Sequence, residues 1–98
     1  MDSDKKNKEI GTYIDLFSGC GGFSLGLGNA GWKGIFAVEK DPMAFETFRH
    51  NLIDGKYAHF NWPSWLPIKA TTIQDLLENY PAQLASLKGK VDLIAGGP

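Results

Sequence analysis

The chain has 98 residues, of which 43% are hydrophobic, 21% charged and 12% aromatic. This is globular composition, which excludes a disordered, collagenous or low-complexity chain, and no apolar run reaches the ~20 residues that span a bilayer. Ten basic against eleven acidic residues leave a net charge of -1, so a cationic face for sequence-independent nucleic-acid binding is not expected. A single cysteine excludes an internal disulfide and a multi-cysteine zinc site. The polar start MDSDKKNKEI has no apolar stretch of the secretory kind. The expectation is one domain in a soluble, cytoplasmic protein.

Residues 1–11 read as a mobile polar tail and residues 12–98 as the folded part. Thr12 to Phe17 (TYIDLF) is rich in β-formers and leads through Ser-Gly-Cys-Gly-Gly into a short amphipathic helix. Gly26, Gly28 and Gly31 keep that helix short, each costing about 1 kcal/mol against alanine in a helix interior. Gly34 to Val38 is a second buried strand. Asp41 can cap the next helix and Pro42 suits its first position; Phe45, Phe48 and Leu52 share a face, and the helix fades between Asn51 and Gly55. Lys56 to Lys69, with Trp62, Pro63, Trp65 and Pro67, reads as a loop pinned by aromatic packing. Ile68 to Thr71 is the candidate for a third strand. A helical pattern starts at Thr72, breaks at Pro81, resumes through Leu84 and Leu87 and stops at Gly89; Val91 to Ala95 is a last strand. Strands alternating with helices predict an α/β fold, a partial Rossmann-like doubly wound parallel sheet in the order 3-2-1-4.

Two features carry chemistry. In Asp15-Leu-Phe-Ser-Gly-Cys-Gly-Gly-Phe23 a strand delivers glycines to the start of a helix, where bare backbone amides favour an anionic group. Glu39 then follows the second strand, where nucleoside-binding α/β folds place an acid that accepts from ribose hydroxyls. In a doubly wound sheet the turn at Phe17 to Gly22 and the segment Gly96 to Pro98 flank one crevice. His50 and His59 lack a second ligand pair and read as surface or packing residues. Trp62 and Trp65 read as loop packing, and Lys5, Lys6 and Lys8 as part of a solvated tail.

With those residues on the page, DLFSGCGGFSLGL, VEKDPMAFETFRHN and VDLIAGGP resemble, in order and spacing, the opening motifs of the DNA cytosine-5 methyltransferases. The resemblance runs from about Tyr13 to Pro98 and implies S-adenosylmethionine as cofactor, with S-adenosylhomocysteine as product. It implies a cofactor site drawn from Phe17, Ser18, Gly19, Cys20, Gly21, Gly22, Phe23, Glu39, Lys40, Thr72, Ile73 and Gly97. Phe17, Gly19 and Gly21 would line the methionine and adenine ends, Glu39 would hold the ribose, and the Lys40 stem would lie along the adenine. The family has an Asp-Ile pair where this sequence has Thr72-Ile73. It also continues from Gly-Gly-Pro into Pro-Cys-Gln, whose cysteine is the nucleophile, whereas this sequence stops at Pro98. The resemblance thus implies the amino-terminal, cofactor-binding fragment of a DNA methyltransferase of restriction-modification type, inactive alone. Cys20, inside the turn, reads as a small turn residue.

The implied partners are double-stranded DNA through the full-length enzyme and the remainder of the methyltransferase chain. The outer edge at Val91 to Ala95 could pair with that remainder or with a second copy. A non-catalytic cofactor- or partner-binding module, one half of a split enzyme, and a tRNA substrate remain as alternatives. A dinucleotide-dependent oxidoreductase fits less well, because the turn departs from GxGxxG spacing.

Overall fold

The computed structural model describes residues 10–96. Three strands form one parallel sheet: β1 (Thr12–Asp15) at the centre, β2 (Lys33–Ala37) on one side and β3 (Leu93–Ala95) on the other. β1 pairs with β2 from Thr12 opposite Lys33 to Asp15 opposite Ala37, with a register irregularity between Tyr13 and Ile14. Tyr13, Ile14 and Asp15 face Leu93, Ile94 and Ala95 of β3. The adjacency of the first, second and last strands is the one expected from the sequence.

The third strand expected at Ile68 to Thr71 is not formed. The chain instead touches the outer side of β2 at a single parallel bridge between Gly34 and Phe60. Gly34 permits this: a Cβ there would run into the Phe60 ring. Two prolines between Phe60 and Ile68, Pro63 and Pro67, interrupt the amide donors a ladder needs, so the contact stays one bridge long.

The helices follow their local signals. α1 (Gly22–Asn29) starts straight out of the glycine turn. α2 (Pro42–Phe48) is capped by Asp41, whose carboxylate accepts from the Ala44 amide at 3.2 Å, with Pro42 at the first position. It runs on into a π-helical turn, Arg49–Ile53. α3 (Ile73–Asn79) is capped by the Thr72 hydroxyl, which accepts from the Asp75 amide at 3.0 Å. α4 (Pro81–Ala85) follows after a break at Tyr80, where proline restarts the helix.

Side chains alternate across a strand, so the sheet separates two apolar clusters. One gathers Ile14, Phe36, Val38, Leu66 and Leu76, with Trp62, Trp65 and Leu84 packed against it. The other gathers Ala37, Phe45, Phe48 and Leu52 beneath Leu25 and Phe60. Trp62 lies edge-on to Phe36 and Phe45, and Trp65 edge-on to Phe36, so the tryptophans fasten the long loop. His59 is also a packing residue: its Nε2 lies 2.7 Å from the Tyr13 hydroxyl and its Nδ1 3.0 Å from the Tyr57 carbonyl. The carbonyl can only accept, so Nδ1 carries the proton and Tyr13 donates to Nε2. Burial pushes the Tyr13 phenol up to about 12 from its ordinary 10.0, with the nearby Asp15 adding to it and the neighbouring Ser24 hydroxyl dipole opposing it.

Candidate functional site

The carboxyl ends of β1 and β2 lie side by side, and the chain leaves both toward the same edge. From β1 it enters a tight turn in which the Gly21 amide donates to the Ser18 carbonyl at 2.9 Å. The Ser18 amide donates to Val38 at 3.1 Å, stitching the turn to the end of β2. Gly19 and Gly21 take positive φ, 54° and 107°. At Gly21 glycine is required twice over: a side chain is strained at that φ, and a Cβ would run into Leu52 Cδ1 and come within 3.1 Å of Phe48. No side chain caps the amino end of α1, and no acid occupies its first turn.

Beneath the turn, Asp15 is only 1% exposed. Its carboxylate accepts from the equally buried Ser24 hydroxyl at 2.6 Å, tying β1 to α1 on either side of the turn. Burial raises the Asp15 pKa above the ordinary carboxylate value; bonds from Ser24 and the Phe17 amide oppose this, and the negative charge of Glu39 adds to it.

Glu39 is the centre of the arrangement. Its Oε1 accepts from the Gly19 amide and its Oε2 from the Asp41 amide, each at 2.9 Å. Its backbone carbonyl accepts from the Thr71 amide at 3.0 Å. One residue therefore joins the glycine turn, the start of α2 and the segment leading into α3. Each carboxylate oxygen retains a second lone pair for a ligand.

Around Glu39 lies an open cavity of about 440 Å³, lined by Leu16, Phe17, Gly19, Val38, Glu39, Lys40, Thr71, Thr72 and Ile73. That volume is within the range of small-molecule and cofactor sites, roughly 300–1,000 Å³. The wall is apolar, the floor carries one acid, and the Phe17 side chain is 58% exposed at the rim. Among the described residues lining the cavity, Glu39 is the only carboxylate.

Six of the residues singled out from sequence meet here: Phe17, Gly19, Glu39, Lys40, Thr72 and Ile73. Cys20, Gly21 and Gly22 instead line a smaller hollow of about 260 Å³ with Leu25, Asn51, Leu52 and Tyr57. Ser18 is buried in the turn, Phe23 is exposed and lines neither cavity, and Gly97 lies outside the described residues. Gly96 does not line the cavity but lies behind two residues that do: a Cβ there would stand 3.1 Å from Leu16 and 3.3 Å from the Phe17 ring. Leu16, Val38 and Thr71 were missed by the motif reading. Leu16 and Val38 directly follow β1 and β2, so the rule that ligands bind beyond the carboxyl ends of parallel strands would have found both.

Fold and site together define a small α/β protein with a parallel sheet and a cavity set between a glycine turn and one acid beyond the strand ends. The family model for C-5 cytosine-specific DNA methylases matches residues 11–98. The chain belongs to that family, whose members are methyltransferases. Similar proteins include the Type II methyltransferase M1.HphI of Haemophilus parahaemolyticus, 39% identical over 89% of this chain and 20% of that protein. M.PspPI of Psychrobacter sp. (strain TA137) is 38% identical over 88% of this chain and 17% of its own length. M.HpaII of Haemophilus parainfluenzae is 33% identical over 91% and 25%. The chain thus spans about a fifth of the length of these relatives. No solved structure matches it significantly.

Proposed function

We propose that this chain is the S-adenosylmethionine-binding part of a DNA cytosine-5 methyltransferase, built on a partial Rossmann-like sheet. The longer protein would methylate C5 of cytosine in double-stranded DNA, in the cytoplasm of a prokaryote, as part of restriction-modification. The observation that carries this reading is the meeting of Phe17, Gly19, Glu39, Lys40, Thr72 and Ile73 around one cavity beyond the strand ends.

The residues fit the cofactor. Glu39 keeps lone pairs to accept from both ribose hydroxyls while its amide partners fix its rotamer. Leu16, Phe17, Val38 and Ile73 offer an apolar wall for the base. When bound, the cofactor supplies an electrophilic methyl group on a sulfonium. The chain's own part is to hold and orient it.

The chain is proposed to be inactive alone. Its one cysteine, Cys20, lines the smaller hollow and not the cofactor cavity, so no thiolate stands beside that cavity to add to the cytosine ring at the carbon next to C5. Residues supplied by the rest of a full-length protein would complete the reaction. β3 occupies a sheet edge among the described residues and Ile94 on it is 62% exposed, a surface suited to that remainder or to a second copy. Equilibrium dialysis with labelled S-adenosylmethionine tests the binding half: saturable binding abolished by excess S-adenosylhomocysteine supports it, and no binding refutes it. A labelled-methyl assay on cytosine-containing DNA tests the rest, since turnover by this chain alone would refute the proposed division.

A further inference from the structure

We propose that an apolar groove between the sheet and the α3–α4 layer seats a further α-helix, which lies beside α3 and α4 with its carboxyl end over Lys88. The occupant is the segment that follows β3 in the longer protein. The inference therefore rests on the proposed reading of the chain as part of such a protein, and the chain spans about a fifth of its relatives' length. The groove holds about 450 Å³. Ile14, Leu16 and Ile94 form its sheet side, and Leu76, Leu77 and Leu84 its helix side. Ile94 and Leu77 stand well exposed on opposite walls, so the apolar face is open to water.

Topology and charge say what covers it. Crossovers between parallel strands are right-handed. α1 joins β1 to β2 on the face of Ala37 and Phe45. α3 and α4, on the way from β2 to β3, pack on the opposite face with Ile14 and Phe36. A further parallel strand beyond β3 lies in that same direction, so its crossover helix falls on the α3–α4 face, in the groove. Like α3, it runs from the carboxyl edge of the sheet to the amino edge. The groove has that extent: Leu16 and Ile73 line it at the carboxyl edge, and Lys88 and Gly89 at the amino edge. The amino edge is fixed there by Thr12, at the start of β1, whose hydroxyl donates to the Lys90 carbonyl at 2.6 Å. Lys88 is the only charged residue among the described residues lining the groove. A helix ends in unpaired carbonyls that carry about half a negative charge. The one cation thus stands where the carboxyl end of the occupant arrives.

The test is amide NMR of the chain with a synthetic peptide of about 18 residues, long enough to hold a helix. It carries leucines at i, i+3, i+4 and i+7 spacing and a nitroxide at its carboxyl end. Shifts are expected at Leu76, Leu77 and Ile94, with the strongest paramagnetic broadening at Lys88 to Lys90. Leu77 and Lys88 are exposed, so substitutions there leave the fold in place. Leu77→Asp should weaken docking about tenfold or more. Lys88→Glu should weaken it about three- to tenfold, the range of a charge reversed at a helix end. Strongest broadening at Leu16 and Ile73, or equal binding of a peptide with its leucines scrambled, overturns the inference. So does a dimer of the chain in sedimentation that Leu77→Asp dissociates, which would give the groove to a second copy. S-adenosylhomocysteine titrated into the same sample separates the two readings. Cofactor binding without peptide docking overturns the groove alone, and peptide docking without cofactor binding overturns only the cofactor site.

Discussion

Replacing Glu39 with alanine perturbs two properties that can be read separately. Without ligand, the Gly19 and Asp41 amides each lose a carboxylate acceptor at 2.9 Å. Bonds to a charged group contribute about 1.5–3 kcal/mol each when dry. Asp41 is exposed and Gly19 and Glu39 are half-buried, so water replaces much of the loss. The expected destabilisation in urea is about 1–2 kcal/mol in total. With ligand, the two ribose hydroxyls lose their acceptor, and S-adenosylhomocysteine should bind about ten- to a hundredfold more weakly by calorimetry. Glu39→Gln should fall between, because one amide oxygen remains while the new NH2 opposes a backbone donor. A variant that loses stability but keeps its affinity would remove Glu39 from the ribose site. Unchanged stability and unchanged affinity together would remove the whole clasp.

Other outcomes follow from the same geometry. Gly21→Ala should cost about 2–4 kcal/mol by urea denaturation, combining a strained φ with the collision against Leu52; Gly22→Ala, helical and with nothing within 4 Å, should be neutral or stabilise by up to about 1 kcal/mol. Ser24→Ala leaves the buried Asp15 carboxyl without its hydroxyl donor and should cost about 1–3 kcal/mol by the same method. Tyr13 holds its proton more tightly folded than unfolded, so its contribution to stability is intact below pH 10 and is lost as the pH rises toward about 12. Tyr13→Phe should flatten that alkaline limb of stability while giving up the bond to His59, about 1 kcal/mol at neutral pH; an unchanged alkaline limb would contradict this.

Most of the site was legible because its signals are local. Strand-forming residues, then glycines, then an uncapped helix start define the first turn, and Asp41-Pro42 marks the start of α2 without tertiary information. Glu39 could be placed because it directly follows a recognisable strand end. The third strand misled for a physical reason: Ile68 to Thr71 has strand-like composition, yet the Thr71 amide donates to Glu39 and the segment serves the cavity. The real neighbour of β2 is Phe60, whose bridge depends on the missing side chain at Gly34, a long-range fit that periodicity does not register. The same limit hid the double duty of Glu39, whose amide partners lie 20 residues before it and 2 after it in the chain. It also hid the division of the glycine turn, with Gly19 facing one cavity and Cys20 to Gly22 another.

The most direct measurement is backbone amide NMR of the chain titrated with S-adenosylhomocysteine. Shifts should concentrate at Phe17 to Gly19, Glu39 to Asp41 and Thr71 to Ile73. Shifts gathered instead along the apolar groove of Leu77, Leu84 and Ile94, or none at saturating ligand, would contradict a nucleoside site built around Glu39.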